Sequence, residues 1–238
     1  QLKKFKEKYP HVKILVGLGG WTWSGGFSDA ATPENRESFV SSVIDTFIHG
    51  NLPYDTGTAA GGDGVAAGIF DGVDIDWEYP VCCGNHSEGY RPEDPENYTA
   101  LLAEFRDQLD TIDPDMELTI AAPAGPRNIV NMDVEGVSQY VDYINLTTYD
   151  YHGAWDSFTG HLAPIITASD DPYPYEGFSI TETVANYEAR GVPRSQMIMG
   201  VPFYGRSWEG VSPGPNGDGL YQSASGAGPG ERGEPGML

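Results

Sequence analysis

The stretch Phe70-Asp71-Gly72-Val73-Asp74-Ile75-Asp76-Trp77-Glu78-Tyr79-Pro80 predicts a buried strand in which acidic and apolar residues alternate. Because successive side chains of a strand point to opposite faces, Asp74, Asp76 and Glu78 lie on one face and the apolar residues between them on the other. Neighbouring acids in such a row are about 7 Å apart. Burying them together raises their pKa values as a coupled set. This arrangement is typical of a general acid that stays protonated near neutral pH.

A metal site or a solvated strand face could also account for the three acids. The strand offers no His ligand beside the acids, and carboxylates on a rigid strand bind Mg²⁺ or Ca²⁺ only with further oxygen ligands from loops. A solvated face conflicts with the apolar residues on the opposite face and with the apolar lead-in at residues 68–70. We therefore favour a catalytic site that uses neither a metal nor a cofactor.

Residues 71–78 resemble the signature of glycoside hydrolase family 18, the chitinases, in which the pattern is Asp-x-x-Asp-x-Asp-x-Glu. All the fixed positions of the pattern match. Three more segments resemble barrel strands of the same family in the same order: residues 13–22 the third strand, 143–153 the sixth and 200–208 the seventh. The resemblance covers nearly the whole chain.

Five convincing strands are predicted in the 238 residues, and helical segments separate them. The strands are expected at residues 12–17, 69–76, 116–121, 142–148 and 197–203. Alternation of strands and helices indicates an α/β fold with a parallel sheet. A (β/α)8 TIM barrel has eight strands and about 250 residues. The resemblance implies that strands three to seven are present, so we expect a partial TIM barrel from the interior of a longer catalytic domain.

The domain division that we expect rests on the resemblance and on composition. The resemblance implies that residues 1–209 form the partial TIM-barrel catalytic domain. Residues 210–238 are rich in Gly and Pro and are typical of a loop or linker; the resemblance implies that they lead toward an absent insertion domain after strand seven. Residues 51–68 are rich in Gly and Ala and are expected to form an extended loop before the acidic strand.

The net charge of −22 is high for this length, and all five lysines lie within the first 13 residues. Such a surface argues against binding to nucleic acid or to an anionic membrane, whereas a neutral glycan is compatible with it. Adaptation to high salt and an ordinary acidic secreted enzyme both explain the charge, and both stay open. We expect a secreted, extracellular monomer.

The two cysteines, Cys82 and Cys83, are adjacent in the loop after the acidic strand. A disulfide usually needs about 4.4–6.8 Å between Cα atoms, so neighbouring cysteines seldom join each other. One or both could instead pair with cysteines outside the chain, and their pairing stays open. A metal site is disfavoured because His86 is the only further ligand nearby, and nothing marks either thiol as a nucleophile.

The resemblance implies a substrate-assisted mechanism rather than a protein nucleophile. Glu78 protonates the glycosidic oxygen, and the substrate's N-acetyl carbonyl attacks the anomeric carbon to form an oxazolinium ion. Water then opens this ion with Glu78 as the base, which retains the anomeric configuration. Asp76 holds the acetamide N–H, and Asp74 shares a proton with Asp76. Only Glu78 reaches the carboxyl end of the strand, where the active sites of TIM barrels lie.

Further substrate contacts are implied by the resemblance at the ends of strands six and seven. Tyr149 would bind the acetamide carbonyl, and Asp150 would contact the sugar or the acid–base groups. Tyr204 and Arg206 would line the substrate site. From the residues alone, Tyr149 is equally well explained as a core residue and Arg206 as a structural ion-pair partner.

Exposed aromatic side chains offer flat apolar faces on which sugar rings stack. Trp21, which follows the double glycine, and Trp155, which follows strand six, are candidates for substrate binding, as is Trp23. Packing against the barrel rim is the alternative for Trp23 and Trp155. We interpret His152 as a structural, hydrogen-bonded residue, because the implied mechanism needs no His.

One position departs from the family pattern. Gly17 stands where the family usually has a Ser whose hydroxyl supports the innermost aspartate, Asp74. Glycine has no side-chain donor, so this support of Asp74 is missing unless a water substitutes for it. We expect an altered acid limb of the pH–rate profile rather than a loss of activity.

The leading hypothesis is therefore a retaining chitinase that hydrolyses β-1,4-linked N-acetylglucosamine polymers. One alternative is an endo-β-N-acetylglucosaminidase that acts on another glycan. The other is a lectin-like member that binds chitin without cleaving it, and the presence of Glu78 argues against this alternative.

Overall fold

The computed structural model describes residues 1–85, 89–173 and 176–238, so His86 lies outside the described residues. The strands are β1 (Leu15–Gly19), β2 (Leu52–Asp55), β3 (Ala60–Gly62), β4 (Gly72–Asp76), β5 (Glu117–Ala122), β6 (Tyr143–Leu146), β7 (Met197–Met199), β8 (Trp208–Glu209) and β9 (Gly226–Ala227). The α-helices are α1 (Leu2–Lys8), α2 (Phe27–Ala30), α3 (Arg36–Val43), α4 (Asp94–Ile112), α5 (Pro126–Ile129), α6 (Val134–Ser138) and α7 (Ile180–Glu188). Shorter helical turns are the 3-10 segments Ser24–Gly26, Arg194–Gln196 and Glu231–Gly233 and the π-helical segment Ile44–Ile48.

The chain divides into two compact units. The first comprises Gln1–Ala122 and Val130–Ile144, and the second comprises Pro123–Ile129 and Asn145–Leu238. This division follows the packing of the chain and does not address the expected boundary between residues 209 and 210, which stays a prediction.

The first unit is built on parallel strands. β1 pairs with β4 and β4 pairs with β5, and the start of β6 lies beside β5. The register places Gly17 opposite Asp74, and Asp74 opposite Thr119. Because parallel strands end at the same edge of a sheet, the carboxyl ends of β1 and β4 carry their side chains to one edge.

Helix α4 covers the apolar side of this unit. It begins at Asp94, with Pro95 in its first turn. Proline is tolerated there because the N–H groups of the first turn have no acceptor within the helix. Its buried side chains recur at helical spacing and face the core: Tyr98, Leu101, Leu102, Phe105 and Leu109. Phe105 packs edge-on against Phe39 of α3, with 6.2 Å between the ring centroids. Helix α4 thus supports β4 on its apolar face.

The expected loop at residues 51–68 is wrong in part, because β2 and β3 form an antiparallel hairpin there. Gly and Ala have low strand propensity, and the sequence pattern therefore gave no strand signal. At Gly61, φ is +100° and an added Cβ would lie 2.1 Å from the Pro53 carbonyl oxygen. The hairpin thus depends on a glycine at this close approach of two backbones.

The second unit contains the end of β6 beside β7, and the Gly200 N–H donates to the Leu146 carbonyl oxygen at 2.9 Å. Helix α7 is anchored by two buried side chains. The Tyr187 hydroxyl donates to the Pro123 carbonyl oxygen at 2.9 Å, and the Thr183 hydroxyl donates to the Ala124 carbonyl oxygen at 3.0 Å. These bonds fix the helix to its own unit.

The Gly- and Pro-rich residues 210–238 are an ordered part of the second unit. β8 pairs with β9 in antiparallel fashion. Gly205 and Leu238 exchange two backbone hydrogen bonds, of 2.8 and 2.9 Å. All five strands expected from the sequence are present, which confirms the α/β fold. Among the described residues, no helix combines the length and apolar character needed to cross a membrane.

Candidate active site

The acidic row occupies β4 and the two residues that follow it. Val73 and Ile75 are fully buried and Trp77 is 3 % exposed, whereas Asp74, Asp76 and Glu78 are only partly buried. The alternation predicted from the sequence is therefore confirmed, with the apolar side chains on one face and the carboxylates on the other.

Aromatic packing on the apolar face fixes the end of β4. The Trp77 ring stacks on Phe27 with 5.6 Å between centroids and meets Tyr98 at 5.1 Å. The Tyr98 hydroxyl also donates to the Ile75 carbonyl oxygen at 3.4 Å. Aromatic pairs of this kind contribute about 0.5–1.5 kcal/mol beyond their burial, so the backbone that carries the acids is held firmly.

Asp74 receives a hydrogen bond from a residue that the sequence pattern did not single out. The hydroxyl of Thr119, opposite Asp74 on β5, donates to the Asp74 carboxylate. Thr119 is 5 % exposed. The feature of the sequence that could have identified it is a single hydroxyl residue between the apolar residues Leu118 and Ile120. On the other side, an added Cβ at Gly17 would meet no atom within 4 Å. Thr119 thus supplies a donor that Gly17 lacks.

Asp76 lies between the other two acids and has a strongly perturbed pKa. Burial raises the pKa of Asp76 from 3.8 to about 7, and the charges of Glu78 and Asp74 add to the effect. Burial acts because the ionised carboxylate loses hydration, and the neighbours act because like charges repel. Asp76 therefore retains a proton close to neutral pH, as the coupled row predicted.

The turn after β1 packs against the backbone of Asp76. At Gly19, φ is +106° and an added Cβ would lie 2.2 Å from the Asp76 carbonyl oxygen. The Gly20 N–H donates to the same oxygen at 2.8 Å, and the Ser24 hydroxyl lies 2.9 Å from it. Ser24 is a second residue that the sequence pattern missed, because nothing in its local surroundings marks it.

The loop after Glu78 carries a disulfide between Cys82 and Cys83, which is the pairing of neighbours that the sequence argument disfavoured. Their Cα atoms are 3.7 Å apart. The chain turns through left-handed backbone at Val81 (φ 70°) and Cys83 (φ 72°), which brings the two side chains together. The Asn131 side-chain amide donates to the Cys82 sulfur at 3.3 Å.

A buried carboxylate holds this loop to the start of α4. Asp94 is fully buried, and its Oδ2 accepts the N–H groups of Val81 and Arg91, both at 3.0 Å. Its Oδ1 accepts the Ser28 hydroxyl at 2.6 Å. Hydrogen bonds of this kind, with a charged acceptor, contribute about 1.5–3 kcal/mol each. The loop that follows Glu78 is therefore fixed at Val81.

The site residues expected from strands six and seven lie together in the second unit. Arg206 forms a bidentate ion pair with Asp150, at 2.9 and 2.6 Å, and lies 5.1 Å over the Tyr204 ring. Tyr204 meets Tyr149 edge-on at 6.3 Å. Burial, reinforced by a hydrogen bond to Asp150, raises the pKa of Tyr204 above its ordinary value. Tyr204 therefore stays neutral. Asp150 is the ion-pair partner of Arg206, a structural role that the sequence analysis had left as an alternative.

The tryptophans expected to bind sugars are exposed. Trp21 is 50 % exposed, Trp23 is 82 % and Trp155 is 58 %. The Trp155 ring also lies 5.0 Å from the Arg206 guanidinium. Whether any of the three contacts a sugar stays a prediction.

His152 is 5 % exposed, and its Nδ1 lies 3.0 Å from the Asp156 carboxylate. This contact confirms the interpretation of His152 as a hydrogen-bonded residue of the interior. Within the described ranges, no three His, Cys, Asp or Glu side chains are grouped so that they could hold a metal ion.

Comparisons with known proteins agree with this geometry. The family model described as "Glycosyl hydrolases family 18" matches residues 1–233. The chain is 38 % identical over 235 residues to Chitinase A1 of Niallia circulans, covering 95 % of this chain and 31 % of that protein. The chain thus spans about a third of this relative's length.

Solved structures are similar over nearly the whole chain. The catalytic domain of psychrophilic chitinase B from Arthrobacter TAD20 is 39 % identical with a TM-score of 0.88, covering 100 % of this chain and 55 % of that one. Ostrinia furnacalis Group IV chitinase in complex with allosamidin is 33 % identical with a TM-score of 0.80, covering 98 % and 58 %. The expected fold, a TIM barrel present in part, is confirmed. The chain belongs to the glycosyl hydrolases family 18.

Proposed function

We propose that the protein hydrolyses the β-1,4 linkages of chitin with retention of configuration, through an oxazolinium intermediate and with Glu78 as general acid and base. The observation that carries the proposal is the row of Asp74, Asp76 and Glu78 on one face of β4, with Asp76 holding a proton near neutral pH. A partly buried row of this kind costs stability and serves proton transfer.

In the first step, Glu78 donates its proton to the glycosidic oxygen as the bond from that oxygen to the anomeric carbon breaks. The acetamide carbonyl oxygen of the same sugar forms a bond to the anomeric carbon, which gives the oxazolinium ion. Asp76 accepts a hydrogen bond from the acetamide N–H, and its negative charge offsets the positive ring. The proton that Asp76 held passes to Asp74, and it returns to Asp76 when the acetamide is restored in the second step.

In the second step, water attacks the anomeric carbon while the Glu78 carboxylate takes its proton. The carbon–oxygen bond of the oxazolinium ring breaks, and the acetamide is restored. Each proton and bond is thus accounted for, and Glu78 ends the cycle protonated. Two attacks on opposite faces retain the configuration.

The remaining assignments support substrate binding and follow the family resemblance. We assign Tyr149 to the acetamide carbonyl, and Asp150, Tyr204 and Arg206 to the sugar contacts. The exposed rings of Trp21 and Trp155 are assigned to stacking on sugar faces. Two chitinases with similar structures, one of them crystallised with allosamidin, support this class of substrate. We further propose a secreted monomer.

The test is hydrolysis of a chitin tetramer by the full-length protein, with Glu78→Gln and the control Glu96→Gln. Glu96 is exposed in the first turn of α4, so its variant should keep full activity. Loss of activity in Glu78→Gln alone supports the proposal. Tetramer binding without turnover by the wild type would favour a lectin-like protein, and cleavage of an N-glycan instead would favour the endo-β-N-acetylglucosaminidase. Repeating the assay in molar salt tests adaptation to high salt.

A further inference from the structure

Ser24 has a hydroxyl group in an unusual place. It opens the 3-10 segment Ser24–Gly26, four residues beyond the turn at Gly20, and is 4 % exposed. Its hydroxyl is therefore shielded from bulk water and must find partners inside the protein.

The partners of the Ser24 hydroxyl are backbone atoms around the acidic row. Its oxygen accepts the Glu78 N–H at 2.9 Å. Its proton is shared between the carbonyl oxygens of Gly20, at 2.8 Å, and Asp76, at 2.9 Å. One side chain thus joins the turn after β1 to two residues of the acidic row, at a sequence separation of 54 residues from Glu78.

The contact with Glu78 matters because β4 ends at Asp76. The register of β4 with β1 ends at Asp76 and its register with β5 ends at Ile75, and the Glu78 N–H donates to the Ser24 hydroxyl oxygen. Removing the acceptor of a partly buried N–H is costly. The bond also fixes the backbone from which the Glu78 side chain projects.

We propose that Ser24 is a positioning residue for Glu78: its hydroxyl accepts the Glu78 N–H and thereby sets where the Glu78 carboxyl group lies relative to Asp76. The proposal rests on the proposed function, in which Glu78 transfers the proton. Displacement of a catalytic group by about 1 Å lowers the rate by about 100-fold, so the effect falls on kcat rather than on substrate binding.

The kinetic test compares Ser24→Ala with Ser179→Ala in the full-length protein on a chitin tetramer. Ser179 is also buried, but it precedes α7 and its hydroxyl bonds to Glu182 instead of Glu78. Ser24→Ala should lower kcat about 10- to 100-fold and leave KM within about two-fold. Ser24→Thr, which keeps the hydroxyl, should recover most of kcat. Ser179→Ala, which removes a helix cap, should lower stability and keep kcat.

The pH profile separates positioning from a loss of stability. In the wild type the charge of Glu78 helps to raise the pKa of Asp76. If Glu78 moves away in Ser24→Ala, its charge raises the pKa of Asp76 less than before. The limb of the pH–rate profile that reports the ionisation of Asp76 should then move to lower pH. A lower melting temperature with unchanged kcat and an unchanged profile would overturn the proposal.

A second measurement needs no catalysis. Hydrogen exchange of the Glu78 amide, followed by NMR in protein labelled with ¹⁵N-glutamate, should be slow in the wild type and in Ser179→Ala but fast in Ser24→Ala. An unprotected Glu78 amide in the wild type refutes the contact even if no variant folds. A wild type that splits no chitin refutes the proposed function instead, so the two failures are distinguishable.

Discussion

Substitution of Asp76 by Asn tests the electrostatics of the acidic row through stability. The folded protein raises the pKa of Asp76 from 3.8 to about 7. Below about pH 3, the carboxyl group is protonated in both the folded and the unfolded chain. As the pH rises from there, the unfolded chain releases the proton while the folded chain keeps it, so the free energy of unfolding falls until the pH passes the folded pKa.

The size of this loss follows from the shift. A shift of about three units corresponds to about 4 kcal/mol if it is counted in full. Asp76 is only partly buried, and solvent screening reduces the loss to roughly 1–2 kcal/mol. Asn has nearly the same shape and never ionises. The Asp76→Asn protein should therefore differ little in stability from the wild type near pH 4 and exceed its stability by roughly 1–2 kcal/mol near pH 8.

The assay is denaturant unfolding of both proteins at the two pH values, with Asp107→Asn as the control. Asp107 is exposed on α4, so its variant removes one charge from a protein of net charge −22 without touching the row. The difference in the free energy of unfolding between this control and the wild type should change little between the two pH values. A difference between Asp76→Asn and the wild type that is the same at both pH values would refute the reasoning. The proposed mechanism also expects Asp76→Asn to lose most of its activity.

Three other predictions follow from single contacts. Gly17→Ser should fold, since an added Cβ meets nothing within 4 Å. Its hydroxyl adds a hydrogen-bond donor opposite Asp74 and should alter the acid limb of the pH–rate profile while activity is kept; an unmoved limb would contradict this. Cys82 and Cys83 should react with iodoacetamide only after reduction, and labelling of the untreated protein would disprove their disulfide. Phe105→Ala should lower the free energy of unfolding by about 3–5 kcal/mol, measured with denaturant, because Phe105 is fully buried; a loss under about 1 kcal/mol would refute its place in the core.

Local pattern was sufficient to predict the strands and the faces of the acidic row. Alternation at every second residue places Asp74, Asp76 and Glu78 on one side of β4 wherever the strand lies in the sheet. The perturbed pKa of Asp76 also follows from three neighbouring acids on a partly buried face. The hairpin of β2 and β3 escaped prediction, because Gly and Ala carry little strand propensity.

The sequence by itself determined the strand order along the chain, the acidic row and the family resemblance, because these depend on residues close together in the chain. Only the tertiary structure decided which groups hold the row in place. Thr119 and Ser24 meet the acidic row across 45 and 54 residues of chain, and the joining of Cys82 to Cys83 depends on the backbone of a loop. Such contacts are set by sheet register and by turns, which local propensity does not encode.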